Sequence, residues 1–388
     1  MLVYNLFIFC VALLLYVDYA TNLKIRYKTQ KLNINSLAIF LALSTIMIFA
    51  GLRYEIGYDY PKYLAGFLFD SELEHWEPLF NFFMRLIREV NFGLDSQAVL
   101  LFFSVLTLSV VYVAVKKFSS YYRTSILLYL LIPALYLNSF SVIRQGIAMA
   151  ILFYALYYLT VKIDRRKYLL LGFVAFLFHY SSIFVVITYL SFEHLFNRTY
   201  SWIVYMSGIA ISLFLYVTHV GRLVVLALPG HFSVYTQWDF KVSILKLLIV
   251  NAFFIFLMLQ KKQFVHTRFQ RYALNSMFLA TIIFNMFADL VFVTRIAQYF
   301  LIVEIVLVPM YIYSFKSKLK QQVVLVGFIT YYLFNFDYAL YRDMQYNTGN
   351  QKHFLVPYEN YLTGNVKSDK QKYQQQWIEY WHKIGVLK

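Results

Sequence analysis

Asn138-Ser139-Phe140-Ser141-Val142-Ile143-Arg144-Gln145-Gly146 lies between two apolar runs, Ser125 to Leu137 before it and Ile147 to Thr160 after it. No hydrophilic loop gives it room to spread into water. Two apolar runs joined by so short a turn predict a pair of membrane-embedded helices, and they leave Arg144 at or near membrane depth. A guanidinium there costs on the order of 2.5–3.5 kcal/mol on insertion scales, so an intramembrane Arg is a functional-site hypothesis by default. Its charge calls for an anionic partner.

The composition agrees. Apolar residues make up 61% of the 388 positions, charged residues 14% and aromatic residues 21%. Soluble domains carry about 25% charged residues, so this chain cannot cover a globular surface with polar groups. The excess of 35 Lys+Arg over 19 Asp+Glu would suggest nucleic acid in a soluble protein. Here the basic residues cluster in short inter-span loops, as cytoplasmic loops do, and no nucleic-acid partner is expected. Cys10 is the sole cysteine and lies in the first apolar run, which excludes a disulfide framework and a cysteine metal site. That run, Met1 to Ala20, lacks a basic leader and reads as a retained first span.

Apolar windows long enough for a bilayer core fall near 1–20, 36–52, 97–115, 125–140, 143–161, 168–190, 199–220, 243–260, 272–293, 296–315 and 322–340. The expected fold is all-α and polytopic, with about 10–11 transmembrane helices in a single domain over 1–340. An outer loop about 53–96 and a polar tail over 341–388, an outer cap or a partner surface, complete the chain. With Lys24, Arg26, Lys28 and Lys31 cytoplasmic, alternation places the 53–96 loop, the Arg144 turn and the region of His179 to Arg198 together outside. The same alternation puts Arg295 and the tail on that side.

One conflict arises in this count. The basic groups Lys162 to Lys167 and Lys261 to Arg271 both look cytoplasmic, yet three windows separate them where an even number is required. Either 168–190 is two half-spans bent near His179, or the run Leu223 to Leu228 belongs to a further crossing or a re-entrant piece. Broken helices occur at membrane depth where the backbone is buried in protein or lines a cavity, which favours the first.

Several residues are candidates for chemistry. Gly51-Leu52-Arg53-Tyr54-Glu55-Ile56-Gly57-Tyr58-Asp59-Tyr60 is dense in tyrosines and charges. Rings stack on pyranose faces and carboxylates accept hydroxyl hydrogen bonds, so it suits sugar; an interfacial aromatic belt is the plainer account. Glu77-Pro78-Leu79-Phe80 opens an amphipathic piece through Val90, with Phe80, Phe83, Ile87 and Val90 at helical spacing. It reads as a helix lying in the outer interface or as a lid over a lipid entrance.

Arg144 is suited to a diphosphate because its planar fork bonds two oxygens and stays charged, and Gln145 beside it both donates and accepts. The alternative is an Arg snorkelling to the interface. His179 lies in a span with Ser182 three positions on, on the same helical face, and a neutral imidazole can take a proton from a hydroxyl. Arg295 with Gln298 and Tyr299 forms a polar face on an apolar helix, either as a second phosphate clamp or in an ion pair with Asp289. There is no P-loop, GxSxG, HExxH or DxD pattern. No metal and no cofactor is expected, with arginines supplying the charge stabilisation.

Taken together, these segments resemble the EpsG family of polysaccharide polymerases, related to the Wzy-type O-antigen polymerases. The resemblance is carried by Gly51 to Tyr63, by Glu77 to Phe80, by Ser141 to Ala148 with Arg165-Arg166-Lys167 and Phe178-His179-Tyr180-Ser181, and by Thr294 to Phe300. The first motif departs from the family in having Tyr58 before Asp59, where Thr is frequent.

The resemblance implies a glycosyltransferase of the bacterial cytoplasmic (inner) membrane. It would polymerise oligosaccharide repeat units of O-antigen or exopolysaccharide, carried on undecaprenyl diphosphate, on the periplasmic or outer face, metal-independently and with inversion. On that reading Arg144 and Arg295 bind the donor diphosphate. His179, Asp59 or Glu55 deprotonates the acceptor, and Arg53, Tyr60, Gln145, Tyr299 and Ser182 contact substrate. The partners implied are lipid-linked glycan donor and acceptor, the bilayer and a chain-length regulator. A flippase or transporter for lipid-linked oligosaccharide is the alternative from another class, disfavoured by the absence of an evident internal repeat; an O-antigen ligase-like transferase is the nearer enzymatic one.

Overall fold

A computed structural model describes residues 1–25, 34–68, 76–90, 96–227, 242–346 and 354–362, apart from the side chains of 21–25, 34–36, 291–294 and 346. Arg26, Lys28, Lys31, Asp70 and the tail beyond 362 lie outside the described residues. The chain is 80% helical with no strands among the described residues. In order, the helices are α1 (Leu2–Ile25), α2 (Ile34–Gly51), α3 (Tyr60–Leu68), α4 (Pro78–Val90), α5 (Gln97–Phe118), α6 (Tyr122–Leu131) and α7 (Ile143–Tyr157, extended by a π turn to Lys162). They continue with α8 (Arg165–Phe178), α9 (Ser182–Ser191), α10 (Glu193–Phe196), α11 (Trp202–Val217), α12 (Val220–Leu226) and α13 (Ile244–Phe264). The last four are α14 (Arg268–Met286), α15 (Val291–Leu301), α16 (Glu304–Ile312) and α17 (Lys318–Tyr346).

The all-α, multi-pass reading holds. Six helical stretches are long and apolar enough to cross a bilayer: Leu2–Ala20, Gln97–Phe118, Ile143–Lys162, Ile244–Phe264, Arg295–Ile312 and Lys318–Gln345. A seventh span is available if α11 and α12, bent by 67°, are one broken element. The difference from ten or eleven windows has local causes. Helix α6 stops at Leu131 and the chain turns before Arg144, so the helix that enters the 125–140 window has only 10 residues. The 168–190 window is two helices, and α14 carries Arg268, Arg271, Asn275 and Asn285 along its length.

The residues divide into two compact units. The first comprises Met1–Ser109, Leu130–Arg144 and Leu333–Lys388; the second comprises Val110–Tyr129 and Gln145–Tyr332. Aromatic packing dominates the first unit. Phe7 stacks on Phe49 with centroids 3.9 Å apart, and Tyr358 stacks on the same ring at 4.1 Å. Helix α4 starts at Pro78, the first helical position that proline tolerates best, and buries Phe80, Met84 and Ile87. Phe80 stacks on Phe103 at 4.5 Å and Phe83 packs on Phe102 at 5.1 Å. Met84, rather than the exposed Val90 at the end of the helix, completes the buried set with Phe80 and Ile87.

The second unit bears on the crossing conflict. Helices α8 and α9 have 14 and 10 residues, about 21 and 15 Å at 1.5 Å per residue, both short of a core of about 30 Å. They pair as a hairpin. A Cβ on Gly172 would lie 2.8 Å from Val186, two positions placed symmetrically about a tip at His179-Tyr180. At the open end, Arg165 at the start of α8 bonds Glu193, just past α9, at 2.7 Å.

Arg268 at the start of α14 reaches the same Glu193 at 2.5 Å. The two basic groups therefore lie at one end of this unit. With the hairpin returning to its own starting end, two candidate crossings rather than three separate them among the described residues, α13 and the bent pair α11–α12 taken as one span. Elsewhere in the unit two buried amides pair with each other: Asn251 and Asn285 exchange hydrogen bonds at 2.7 and 2.8 Å, and Asn285 also donates to Ser212 at 3.0 Å.

Candidate active site

Helix α2 ends at Gly51, and the chain must turn sharply to start α3 nine residues later. It does so through left-handed backbone at Glu55 (φ 54°) and Gly57 (φ 112°). Glycine is required at 57 on two counts: its φ, and the carbonyl oxygen of Phe140, which a Cβ would approach to 2.3 Å. That close approach lays the loop on the 138–141 turn. The Tyr58 N–H then donates to Ser141 Oγ at 3.0 Å.

Arg53 fastens the same contact from below. It is 1% exposed. Its Nη2 donates to the Phe140 carbonyl at 3.0 Å, Nε to Ile56 at 3.3 Å and Nη1 to the Ala50 carbonyl. The guanidinium also lies 4.7 Å from the Phe140 ring centroid. Burial pushes its pKa down to about 10, with the neighbouring tyrosines Tyr136, Tyr60 and Tyr63 acting in the opposite direction. Arg53 thus remains cationic at neutral pH. Its donors are spent on main-chain carbonyls, and it holds the turn before Arg144 in place rather than facing a ligand.

The tyrosines of the loop mostly turn inward. Tyr54, Tyr60 and Tyr63 are buried, whereas Tyr58 is 56% exposed. Tyr60 packs edge-on against Tyr54 at 6.3 Å, with its hydroxyl near Glu55, and burial raises its pKa. The exposed aromatic platform expected over this segment reduces, among the described residues, to Tyr58 and the half-buried Trp76.

Around Arg144 the first unit gathers a cluster. Arg144 Nη1 donates to Glu77 Oε2 at 2.6 Å, and its guanidinium carbon sits 5.0 Å from the Trp76 ring centroid. The Tyr63 hydroxyl accepts the Ile143 N–H at 3.0 Å and hydrogen-bonds Arg144; burial pushes its pKa up to about 12, so it stays a phenol. The anion that the sequence demanded is therefore partly supplied from within, by Glu77, which sits immediately before the Pro78 start of α4. About a quarter of the Arg144 side chain remains exposed against 4% of Glu77. A guanidinium carries five N–H donors, more than one carboxylate oxygen and one phenol take up.

Asp59, half-buried, also acts electrostatically on Tyr63. Its carboxylate has no hydrogen-bond partner among the described residues. Glu55 differs: it is 4% exposed and its oxygens face the interior beside Tyr60. Of the two loop carboxylates, Asp59 is the more exposed.

The remaining sequence candidates come together in the second unit. His179 caps α8 in extended conformation, φ −160° and ψ 115°, and Ser182 opens α9 with its N–H donating to the His179 carbonyl at 3.0 Å. The two therefore flank a break; the shared helical face expected for them does not exist, because the chain reverses between them. Ser181 Oγ lies 3.2 Å from the Tyr299 hydroxyl, which ties the hairpin tip to α15. Gln145 Nε2 donates to the Arg295 carbonyl at 2.7 Å. Ser182 is fully buried, and its Oγ has no hydrogen-bond partner among the described residues. Asp289 faces His219 at 3.4 Å and makes no ion pair with Arg295.

Sequence reasoning missed Glu77 as the counter-ion, Trp76 beneath the guanidinium and Asp343, which accepts from the Tyr58 hydroxyl at 2.8 Å. The available signal was Glu77 itself, a lone acid at a helix start. Among the described residues no three of His, Cys, Asp and Glu gather where they could hold a metal ion.

A family model described as "EpsG family" matches residues 36–360, which include both clusters. No curated protein and no solved structure shows significant similarity to the chain. With the match covering most of the chain, the protein belongs to the EpsG family, a membrane family of the polysaccharide-polymerase type.

Proposed function

We propose that this protein is a glycosyltransferase that joins oligosaccharide repeat units carried on undecaprenyl diphosphate, at the extracytoplasmic face of the bacterial cytoplasmic membrane. The observation that carries the reading is Arg144. It is a guanidinium at the N-terminus of α7, anchored on one side by Glu77 and Trp76 and left with donors to spare. A helix N-terminus favours anions, and the planar fork suits two phosphate oxygens.

In this mechanism the donor diphosphate docks on Arg144. Asp59 takes the proton from an acceptor sugar hydroxyl. The hydroxyl oxygen attacks the anomeric carbon of the donor, a new glycosidic C–O bond forms, and the C–O bond to the diphosphate breaks with its electron pair leaving on phosphate oxygen. Attack opposite the leaving group inverts the anomeric centre. Arg144 stabilises the charge that develops on the leaving diphosphate, an electrostatic role for which a fixed donor is more effective than water. Tyr58 and Trp76 provide ring faces for sugar.

The test is reconstitution of the purified protein in proteoliposomes with a defined lipid-linked repeat unit. Elongation of the glycan without net movement of lipid-linked substrate across the bilayer supports the polymerase. Movement without elongation establishes a flippase instead, and transfer to a non-glycan acceptor establishes a ligase.

A further inference from the structure

The described C-terminal residues 354–362, beyond α17, lie along the loop that carries Asp59. The Tyr54 N–H donates to the Glu359 carbonyl at 2.9 Å and the Tyr361 N–H to the Leu52 carbonyl at 2.9 Å, so the strap brackets Arg53 on both sides. Tyr358 stacks on Phe49 and donates its hydroxyl to the Phe49 carbonyl at 2.8 Å, and the Tyr4 hydroxyl donates to Leu355 at 2.7 Å. All these residues belong to the first unit.

One side chain joins strap to loop. Asp343, on the last turn of α17 and 7% exposed, accepts the Tyr58 hydroxyl on Oδ1 at 2.8 Å and the Leu355 N–H on Oδ2 at 2.6 Å. Both oxygens are in use, each for a different segment. Tyr58 is thereby held at two points, its N–H on Ser141 in the turn before Arg144 and its hydroxyl on Asp343. The next residue is Asp59.

Resting on the polymerase reading, we infer that Asp343 and the 354–362 strap form a positioning device that fixes Asp59 against the Arg144 anion site. Asp343 does not touch substrate. Its two acceptor oxygens set the Tyr58 side chain, and Tyr58 sets the backbone from which the base projects. A carboxylate is suited to this because it is acceptor-only when ionised and can serve two donors from separate segments. The strap adds main-chain hydrogen bonds that stop the loop from hinging at its α2 end.

The experiment uses the full-length protein in proteoliposomes with lipid-linked repeat unit, in the variants Tyr58→Phe, Asp343→Ala, Asp343→Glu and the double variant Tyr58→Phe/Asp343→Ala. Elongation rates are measured as kcat and KM across pH, with hydrogen exchange on the same samples. Tyr58→Phe and Asp343→Ala should each lower kcat about tenfold with donor KM changed less than twofold. The double variant should be no slower than Asp343→Ala, Asp343→Glu should recover part of the rate, and the pH profile should keep its shape because no reacting group has been removed.

Amide exchange in 52–58 and 354–362 should rise together in both single variants. Tyr58→Phe removes one oxygen atom and guards against a folding failure in Asp343→Ala. Unchanged kcat, losses that multiply in the double variant, or a KM effect alone would overturn the positioning role while leaving the polymerase reading intact. Coupled exchange in a protein that moves lipid-linked substrate without elongating it would overturn the polymerase reading and, with it, the assignment of the strap to a base.

Discussion

Arg144 and Glu77 are 67 positions apart in the chain and 2.6 Å apart in the fold. The pair explains how a guanidinium between two apolar runs is tolerated, and why it still has capacity for a ligand. Glu77 is buried and Arg144 is partly exposed, so the carboxylate neutralises from behind while the open edge faces outward. Removing one partner of a buried ion pair typically costs about 3–5 kcal/mol.

Arg144→Lys should lose glycan elongation by about 10²-fold, the scale of removing one fixed donor at a developing anion, while the protein still accumulates in the membrane. The charge stays and the bidentate geometry goes. Elongation at the wild-type rate would reduce Arg144 to a structural residue.

Asp59→Asn should lower the elongation rate by at least about 10²-fold, the usual contribution of a general base, with thermal unfolding in detergent unchanged. Glu55→Gln should instead shift the unfolding temperature and spare the rate. His179→Gln is the competing variant: if it abolishes elongation while Asp59→Asn does not, the base is His179.

Gly57→Ala should destabilise the protein by about 1–3 kcal/mol or more, the cost of holding a non-glycine residue in such backbone with an added clash against the Phe140 carbonyl. A lowered unfolding temperature measures this. Full retention of stability would mean that the loop is not seated on the 138–141 turn.

The α8–α9 hairpin places Arg166 and His194 at one end of the second unit. In a Cys10→Ser background, Arg166→Cys and His194→Cys should both react with an impermeant maleimide from the same side of the membrane. Labelling from opposite sides would make 165–191 a crossing.

Elongation should survive EDTA, since the proposed charge stabilisation comes from arginine. Activity lost on chelation and restored by a divalent ion would replace that mechanism with a metal-assisted one.

Much of this was legible in the chain. Hydropathy depends only on which residues occur in a window, so the membrane class, the all-α architecture and most spans could be read directly. The break at His179 was foreshadowed by charge parity, because positive loops must share a side. Span length was less legible from hydropathy, which averages over a window and does not register that α6 stops at Leu131, two residues before Pro133, a residue that cannot continue a helix.

By itself, then, the sequence determined that this is a helical membrane protein with a costly arginine, an acidic and aromatic loop, and a histidine at a helix break. Each of these follows from local composition and spacing. Only the tertiary structure decided that Arg53 is a buried fastener, that Glu55 and Tyr60 turn inward while Asp59 does not, and that Arg144 answers to Glu77. Those outcomes depend on hydrogen bonds and ion pairs between residues tens to hundreds of positions apart, and such pairs are specified by packing geometry, which no local window contains.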